Sequence, residues 1–364
     1  MGAALAVWAG ASCVTPGGPH GVGTRSWVLV HPAGLPDLTR ESPDHRPRRI
    51  PVQAWYPSTK AAGTLEEDAP PHNAPMRVAV FHHGHGGVRD SNESLFRALA
   101  SRGYLVLSAD HAGVARLARY PGETPRGISS VVEEIFGSGD VGKVAADPRF
   151  KQLGALLAAD VRLELDAIAG AFPQADLRRV VLMGHSLGGA VMASVCRSDP
   201  RCAALVNLDG PPMLDVDHVD GTGRAVLWPQ PLWCPTLIFS TGGAASQPLN
   251  KAAWAAVDLQ AQHVLGPVLH WRLEDAGHLD VTDAALFVPP VVTGWVLGPG
   301  QFSTRHPYKT VVAVNTAVER FLARHLECDL TVDPSEVAKD HPVLTLGYVA
   351  GSRPWAATQC AAGL

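Results

Sequence analysis

Short runs of Val, Ile, Leu and aromatic residues recur along the chain, each closed by Gly, Pro, Asn or Asp, and they read as strands. They fall near 25–32 (RSWVLVHP), 50–57 (IPVQAWYP), 76–83 (MRVAVFHH), 104–110 (YLVLSAD), 178–185 (RRVVLMGH), 202–209 (CAALVNLD), 235–240 (PTLIFS) and 269–275 (LHWRLED). Between or after the strands, SLFRALASRG, ALLAADVRLELDAIAGAF and TAVERFLARHL place apolar residues at three- and four-residue spacing, the mark of amphipathic helices. Strand alternating with helix implies an α/β architecture: a mainly parallel sheet of eight strands with helices on both faces. Two stretches interrupt the alternation and read as lid-like insertions. One is loop-rich, residues 111–153; the other, 284–310, is apolar and broken by Pro and Gly.

The 364 residues are 46% hydrophobic and 18% charged, enough for one large core. The expected division is an N-terminal segment, 1–17, one domain over 18–330, and a C-terminal extension, 331–364. With a formal charge of -4 and its Lys and Arg scattered, the chain has no basic stripe for nucleic acid. No run of about 20 apolar residues suggests a membrane span. The start, MGAALAVWAGASCV, looks like the tail of a secretory signal without its positive region, which tilts the compartment toward secretion without fixing it. Six cysteines show no zinc-finger spacing. Cys196 with Cys202, or Cys328 with Cys360, would bridge in an oxidising compartment, and reduced packed thiols are the alternative.

The chemistry concentrates where strand VVLM runs into Gly184-His185-Ser186-Leu187-Gly188 and then a helical segment. A serine on so sharp a strand-to-helix turn needs small residues two before and two after it, and Gly184 and Gly188 supply them. Its hydroxyl needs a base. His278, in the loop LEDAGHLDVTD after the last strand, is the best placed of the later histidines. The acid that orients such a base commonly follows the seventh strand, but the loop there, TGGAASQPLNKAAW, has no carboxylate. Asp209, at the tip of the sixth strand, takes the role. Its rivals Asp275 and Asp280 lie so close to His278 that they would shape its loop instead.

An anionic tetrahedral intermediate needs two backbone N–H donors. Leu187 would supply one. The second would come from His85 in FHHGHGG, whose glycines let backbone approach the reacting atom. The competing reading of that cluster is a metal held by His83 and His85, but the loop offers no Cys, Asp or Glu to complete it, and no metal or cofactor is expected. Phe287 and Trp295 in the second insertion, and Met213 just after Asp209, are candidate pocket walls, with plain core packing as the alternative.

From about residue 18 to 327 the chain resembles the platelet-activating factor acetylhydrolases, of the plasma and intracellular type, within the α/β-hydrolase superfamily. PVQAWYPST, VAVFHHGHGGVRD, LFRALASRGYLVLSADH, GHSLGG, NLDGPP and AGHLDVTDA are similar to that family's successive strands, oxyanion loop, elbow, acid loop and histidine loop. The resemblance implies a phospholipase that hydrolyses a short or oxidised acyl chain at the middle position of a glycerophospholipid, by a Ser-His-Asp triad and an acyl-enzyme. It also implies no need of calcium. The apolar second insertion is a candidate acyl pocket, lid or face that rests on a lipid interface, with core packing as the alternative. The chain departs from the family at His82 and His85, where smaller residues are expected, and over 111–153. A general carboxylesterase, of the chlorophyllase, dienelactone-hydrolase or polyester-hydrolase kind, is the alternative. A non-catalytic binding protein on the same fold is the alternative of another class.

Overall fold

The computed structural model describes residues 17–32, 35–39, 47–139, 141–219, 225–227, 231–242, 251–287, 301–302 and 307–350. A ten-stranded sheet forms its centre. In chain order the strands are β1 (Gly21–Val30), β2 (Arg49–Ser58), β3 (Leu65–Glu67), β4 (Met76–His82), β5 (Tyr104–Ala109), β6 (Ala175–His185), β7 (Cys202–Leu208), β10 (Thr236–Thr241), β11 (Val268–Leu273) and β12 (Thr345–Ala350). The intervening β8 (Val216–Val219) and β9 (Ala225–Leu227) pair only with each other. Across the sheet the order is β12-β11-β10-β7-β6-β4-β5-β2-β1-β3. From β11 to β5 every neighbouring pair is parallel, and the antiparallel pairs β1–β2, β2–β5 and β11–β12 lie toward the edges.

All eight expected strands are present. The two additional members of the sheet occupy its edges. β3 is three residues long and β12 is mostly exposed, so neither carries the alternation that marks a half-buried strand. β12 lies within the stretch read as a C-terminal extension, yet it pairs with β11 from Val268 to Arg272.

The alternation of the central strands splits the core in two. Val78, Val80, Val180, Leu182 and Leu205 point to one face, where α4 (Pro148–Ala171), α5 (Leu187–Ser198) and α6 (Lys251–Gln262) pack. Ala79, Phe81, Val181, Met183 and Val206 point to the other, against α1 (Glu93–Ser101) and α8 (Pro307–His325). The first insertion is more helical than its composition suggests: it contains α2 (Ser130–Phe136) and α3 (Val141–Ala146), and α4 already begins at Pro148, capped by Asp147, whose side chain accepts the Arg149 N–H at 2.8 Å. Of the second insertion the described part holds α7 (Ala284–Phe287) and the start of α8.

Cys196 and Cys202 form a disulfide that ties the end of α5 to the start of β7. Cys328 is also disulfide-bonded. Cys13 and Cys360, like the whole of residues 1–16 and 351–364, lie outside the described residues.

Candidate active site

The parallel strands end in step. His185 of β6 is level with Leu208 of β7, Leu208 with Phe239 of β10, and Thr241 of β10 with Leu273 of β11. The residues just past those tips, Ser186, Asp209 and the loop carrying His278, therefore meet at one edge of the sheet, where ligands of open parallel sheets bind.

Ser186 sits between β6 and α5 with φ 54° and ψ −122°, a conformation L-residues rarely adopt. Two glycines make the turn possible. A Cβ at Gly184 would lie 2.4 Å from the Gly188 carbonyl carbon, and one at Gly188 would lie 2.0 Å from the His82 carbonyl oxygen. The serine remains partly accessible, and its N–H donates to the Leu208 carbonyl at 3.0 Å.

Asp209 is fully buried and, like Ser186, has a positive φ, 56°. Three donors converge on its carboxylate. The Thr241 N–H reaches Oδ1 at 2.7 Å, the Thr241 hydroxyl reaches Oδ2 at 2.7 Å, and His278 Nδ1–H reaches the same Oδ2 at 2.6 Å. Because Nδ1 carries the hydrogen, Nε2 keeps its lone pair, as a general base requires. Among the described residues no hydrogen bond joins the Ser186 hydroxyl to His278. Asp280 accepts the Gly277 N–H at 2.8 Å and so shapes the histidine's loop. Asp283 anchors that loop to α1, accepting the Ser94 N–H at 2.6 Å and the Ser94 hydroxyl at 2.5 Å. Burial, with Glu93 and Asp90 nearby, pushes its carboxyl up to about 7.

The loop after β4 runs beside the serine: a Cβ at Gly84 would lie 2.8 Å from Ser186 Cβ. Gly86 N–H donates to Val114 O and Gly87 N–H to Gly84 O, while among the described residues no hydrogen bond occupies the intervening His85 N–H. Leu187 is the first residue of α5, where a helix leaves its N–H groups unpaired.

The neighbouring histidines have other work. His83 Nδ1–H donates to the Gly84 carbonyl at 2.7 Å, and its Nε2 accepts the His111 N–H at 3.2 Å, which leaves it no lone pair for a metal. Burial, then His111, lowers its pKa to about 3. The His85 ring turns away and stacks flat on Phe136 of α2, centroids 4.3 Å apart.

Sequence reading missed several supporting groups. Thr241 grips Asp209 from the loop that lacks a carboxylate. His185, the free position of the elbow pattern, is 4% exposed and touches the His278 backbone. Deeper, Asp160 of α4 accepts from Arg48, His31 and His111. Burial works against the Asp160 charge, but Arg48 and these hydrogen bonds outweigh it and hold the carboxyl well below its usual range. Of the expected pocket walls, Met213 lies in a short turn beside α3 and α5 and packs against the core, Phe287 is half-buried at the end of α7, and Trp295 lies outside the described residues. A cavity of about 410 Å³ lies near the opposite end of β11, lined by Val268, His325 and Val349 among others, and includes none of the residues above.

Residues 78–230 match the model of the alpha/beta hydrolase fold family. A solved structure, a ferulic acid esterase from Streptomyces cinnamoneus, is similar over 92% of this chain and 98% of its own, with 23% identity and a TM-score of 0.68. Among proteins of curated function, none matches the chain. The fold is thus the α/β-hydrolase fold, a mostly parallel sheet flanked by helices.

Proposed function

We propose that the chain is a serine carboxylic ester hydrolase. The observation that carries this reading is the Asp209–His278 hydrogen bond at 2.6 Å, formed at the same sheet edge as the strained Ser186 turn. In the proposed cycle Ser186 Oγ attacks the ester carbonyl while His278 Nε2 takes its proton, and Asp209 holds the imidazole and stabilises its charged form. The N–H groups of His85 and Leu187 receive the oxyanion. Collapse of the tetrahedral intermediate expels the alcohol, which takes the proton from His278. Water, activated by the same imidazole, then cleaves the acyl-enzyme. Positioned proton transfer contributes roughly 10²- to 10⁴-fold and one oxyanion donor roughly 10²- to 10³-fold.

Two acyl classes are compatible with this chemistry. The sequence resemblance favours a short or oxidised acyl chain on a glycerophospholipid. The similarity to a ferulic acid esterase favours a feruloyl ester instead, and the flat His85–Phe136 pair next to the proposed oxyanion donor offers an aromatic surface that would suit such a ring. The test is hydrolysis of 4-nitrophenyl esters from acetate to palmitate, a 2-acetyl phospholipid and methyl ferulate, by wild type and Ser186→Ala, with and without chelator. Serine-dependent, chelator-indifferent cleavage supports the proposal, and the preferred acyl group decides between the two classes. Ester cleavage that survives Ser186→Ala would overturn it.

A further inference from the structure

We propose that His185 is a positioning residue that fixes the backbone of His278 against the nucleophile turn, an inference that rests on the serine hydrolase reading. His185 ends β6, immediately before Ser186, and its ring is enclosed. Its Nε2 lies 3.0 Å from the His278 carbonyl oxygen. Since a carbonyl only accepts, Nε2 carries the hydrogen and Nδ1 does not. The two rings are 4.7 Å apart and inclined at 38°. On the other side, His185 Nδ1 is 3.1 Å from where a Cβ on Gly84 would stand. One imidazole thus spans the elbow, the glycine loop and the histidine loop.

The arrangement does something Asp209 alone does not. Asp209 holds the His278 ring at Nδ1, and Asp280 and Asp283 hold its loop at Gly277 and at α1, but none of these ties the loop to the nucleophile turn. The bond from His185 restrains the same residue at its carbonyl. With both ends held, the position of Nε2 relative to Ser186 is determined, and the second anchor comes from the residue bonded to the nucleophile itself. Burial, with His278 and His83 nearby, keeps His185 neutral, so it donates this bond without setting a fixed cation beside the imidazolium that forms in the reaction.

The test compares amides of different reach. The side-chain nitrogen of Gln can occupy the place of imidazole Nε2, and that of Asn, one methylene shorter, cannot. His185→Gln, His185→Asn and His185→Phe are assayed on 4-nitrophenyl acetate beside wild type and Ser186→Ala, and deuterium uptake of the 276–283 peptide is followed by mass spectrometry. His185→Asn and His185→Phe are expected to lower kcat by about 10- to 100-fold, the scale of a 1 Å misplacement, with KM little changed and faster exchange in 276–283. His185→Gln recovers most of kcat and the slow exchange. Equal losses in the Gln and Asn variants, or wild-type kcat and exchange in the Asn variant, would overturn the proposal. If wild type shows no serine-dependent hydrolysis, the functional reading fails, and the exchange comparison still decides whether His185 holds the loop.

Discussion

Asp209→Asn changes shape very little and charge completely, and the three donors around the carboxylate determine its effect. The amide has one acceptor oxygen and one NH₂ group. With its oxygen in the Oδ1 place it keeps the bond from the Thr241 N–H, and the NH₂ then faces the Thr241 hydroxyl and His278 Nδ1–H. The hydroxyl can rotate to accept. The imidazole can comply only by moving its proton from Nδ1 to Nε2. The reverse orientation would set NH₂ against a backbone N–H that cannot rotate, a buried mismatch costing about 1–3 kcal/mol, so the first orientation prevails. His278 is then protonated at the nitrogen that, in the proposed cycle, receives the Ser186 proton. The expected loss is about 10⁴-fold in kcat, or ~5.4 kcal/mol of barrier. Asp209→Ala removes the acceptor without imposing the wrong tautomer, so the Asn variant should be at least as impaired. The assay is steady-state and first-turnover hydrolysis of 4-nitrophenyl acetate, with Ser186→Ala as baseline and circular dichroism to confirm folding. A folded Asn variant within tenfold of wild type would refute the assignment of Asp209.

Three further substitutions probe the surroundings. Asp283, with its pKa raised to about 7 in the fold, binds its proton more tightly there than in the unfolded chain; its contribution is therefore complete below about pH 4 and is lost as pH rises through 7. Asp283→Asn should remove this dependence, so that its urea stability relative to wild type improves by about 2–3 kcal/mol between pH 5 and 8; parallel stability curves would contradict the pKa. Asp160→Ala removes the acceptor shared by Arg48, His31 and His111 and leaves Asp37, at 3.1 Å, as the carboxylate partner of the buried guanidinium; it should cost about 3 kcal/mol in denaturant unfolding, and a loss under about 1 kcal/mol would show that the charge is not held as described. Gly84→Ala places a methyl 2.8 Å from Ser186 Cβ and 3.1 Å from His185 Nδ1; kcat should fall by about 10²-fold, and unchanged kinetics would mean that the loop has room to yield.

How much of the fold and site is legible in the chain depends on whether the information is local. Eight strands are readable because their residues alternate between two apolar faces or form continuous buried runs; β3 and β12 are not, being short or exposed at the edges. The elbow is readable because steric demands at Gly184 and Gly188 act within four residues. Asp209 emerges by elimination, from a missing carboxylate after β10, but Thr241, which occupies that place and grips Asp209 twice, carries no signal of its own. His185 is invisible because its partner is a backbone carbonyl 93 residues away. Asp160 and Glu164, four apart on α4, have the spacing of a solvated helix face and are nonetheless fully buried.

The stretch FHHGHGG combines local and distant information. If the loop aims the His85 N–H at a reacting oxygen, as proposed, its other backbone groups must be satisfied from beneath, since an unpaired buried polar group costs about 1–3 kcal/mol. His82 Nδ1–H donates to the His83 carbonyl at 2.6 Å, His83 Nδ1–H donates to the Gly84 carbonyl at 2.7 Å, and His83 Nε2 accepts the His111 N–H. Each task needs a ring nitrogen with or without its hydrogen, and neutral imidazole offers one of each; burial lowers both pKa values and keeps the rings in that form. The glycines supply closeness and the first two histidines supply support. On this account His83→Phe, which keeps a planar ring and removes both nitrogens, should lower kcat more than it raises KM, because the misplaced donor serves the transition state more than the bound ester. A pure rise in KM on 4-nitrophenyl acetate would instead put His83 in the binding of substrate.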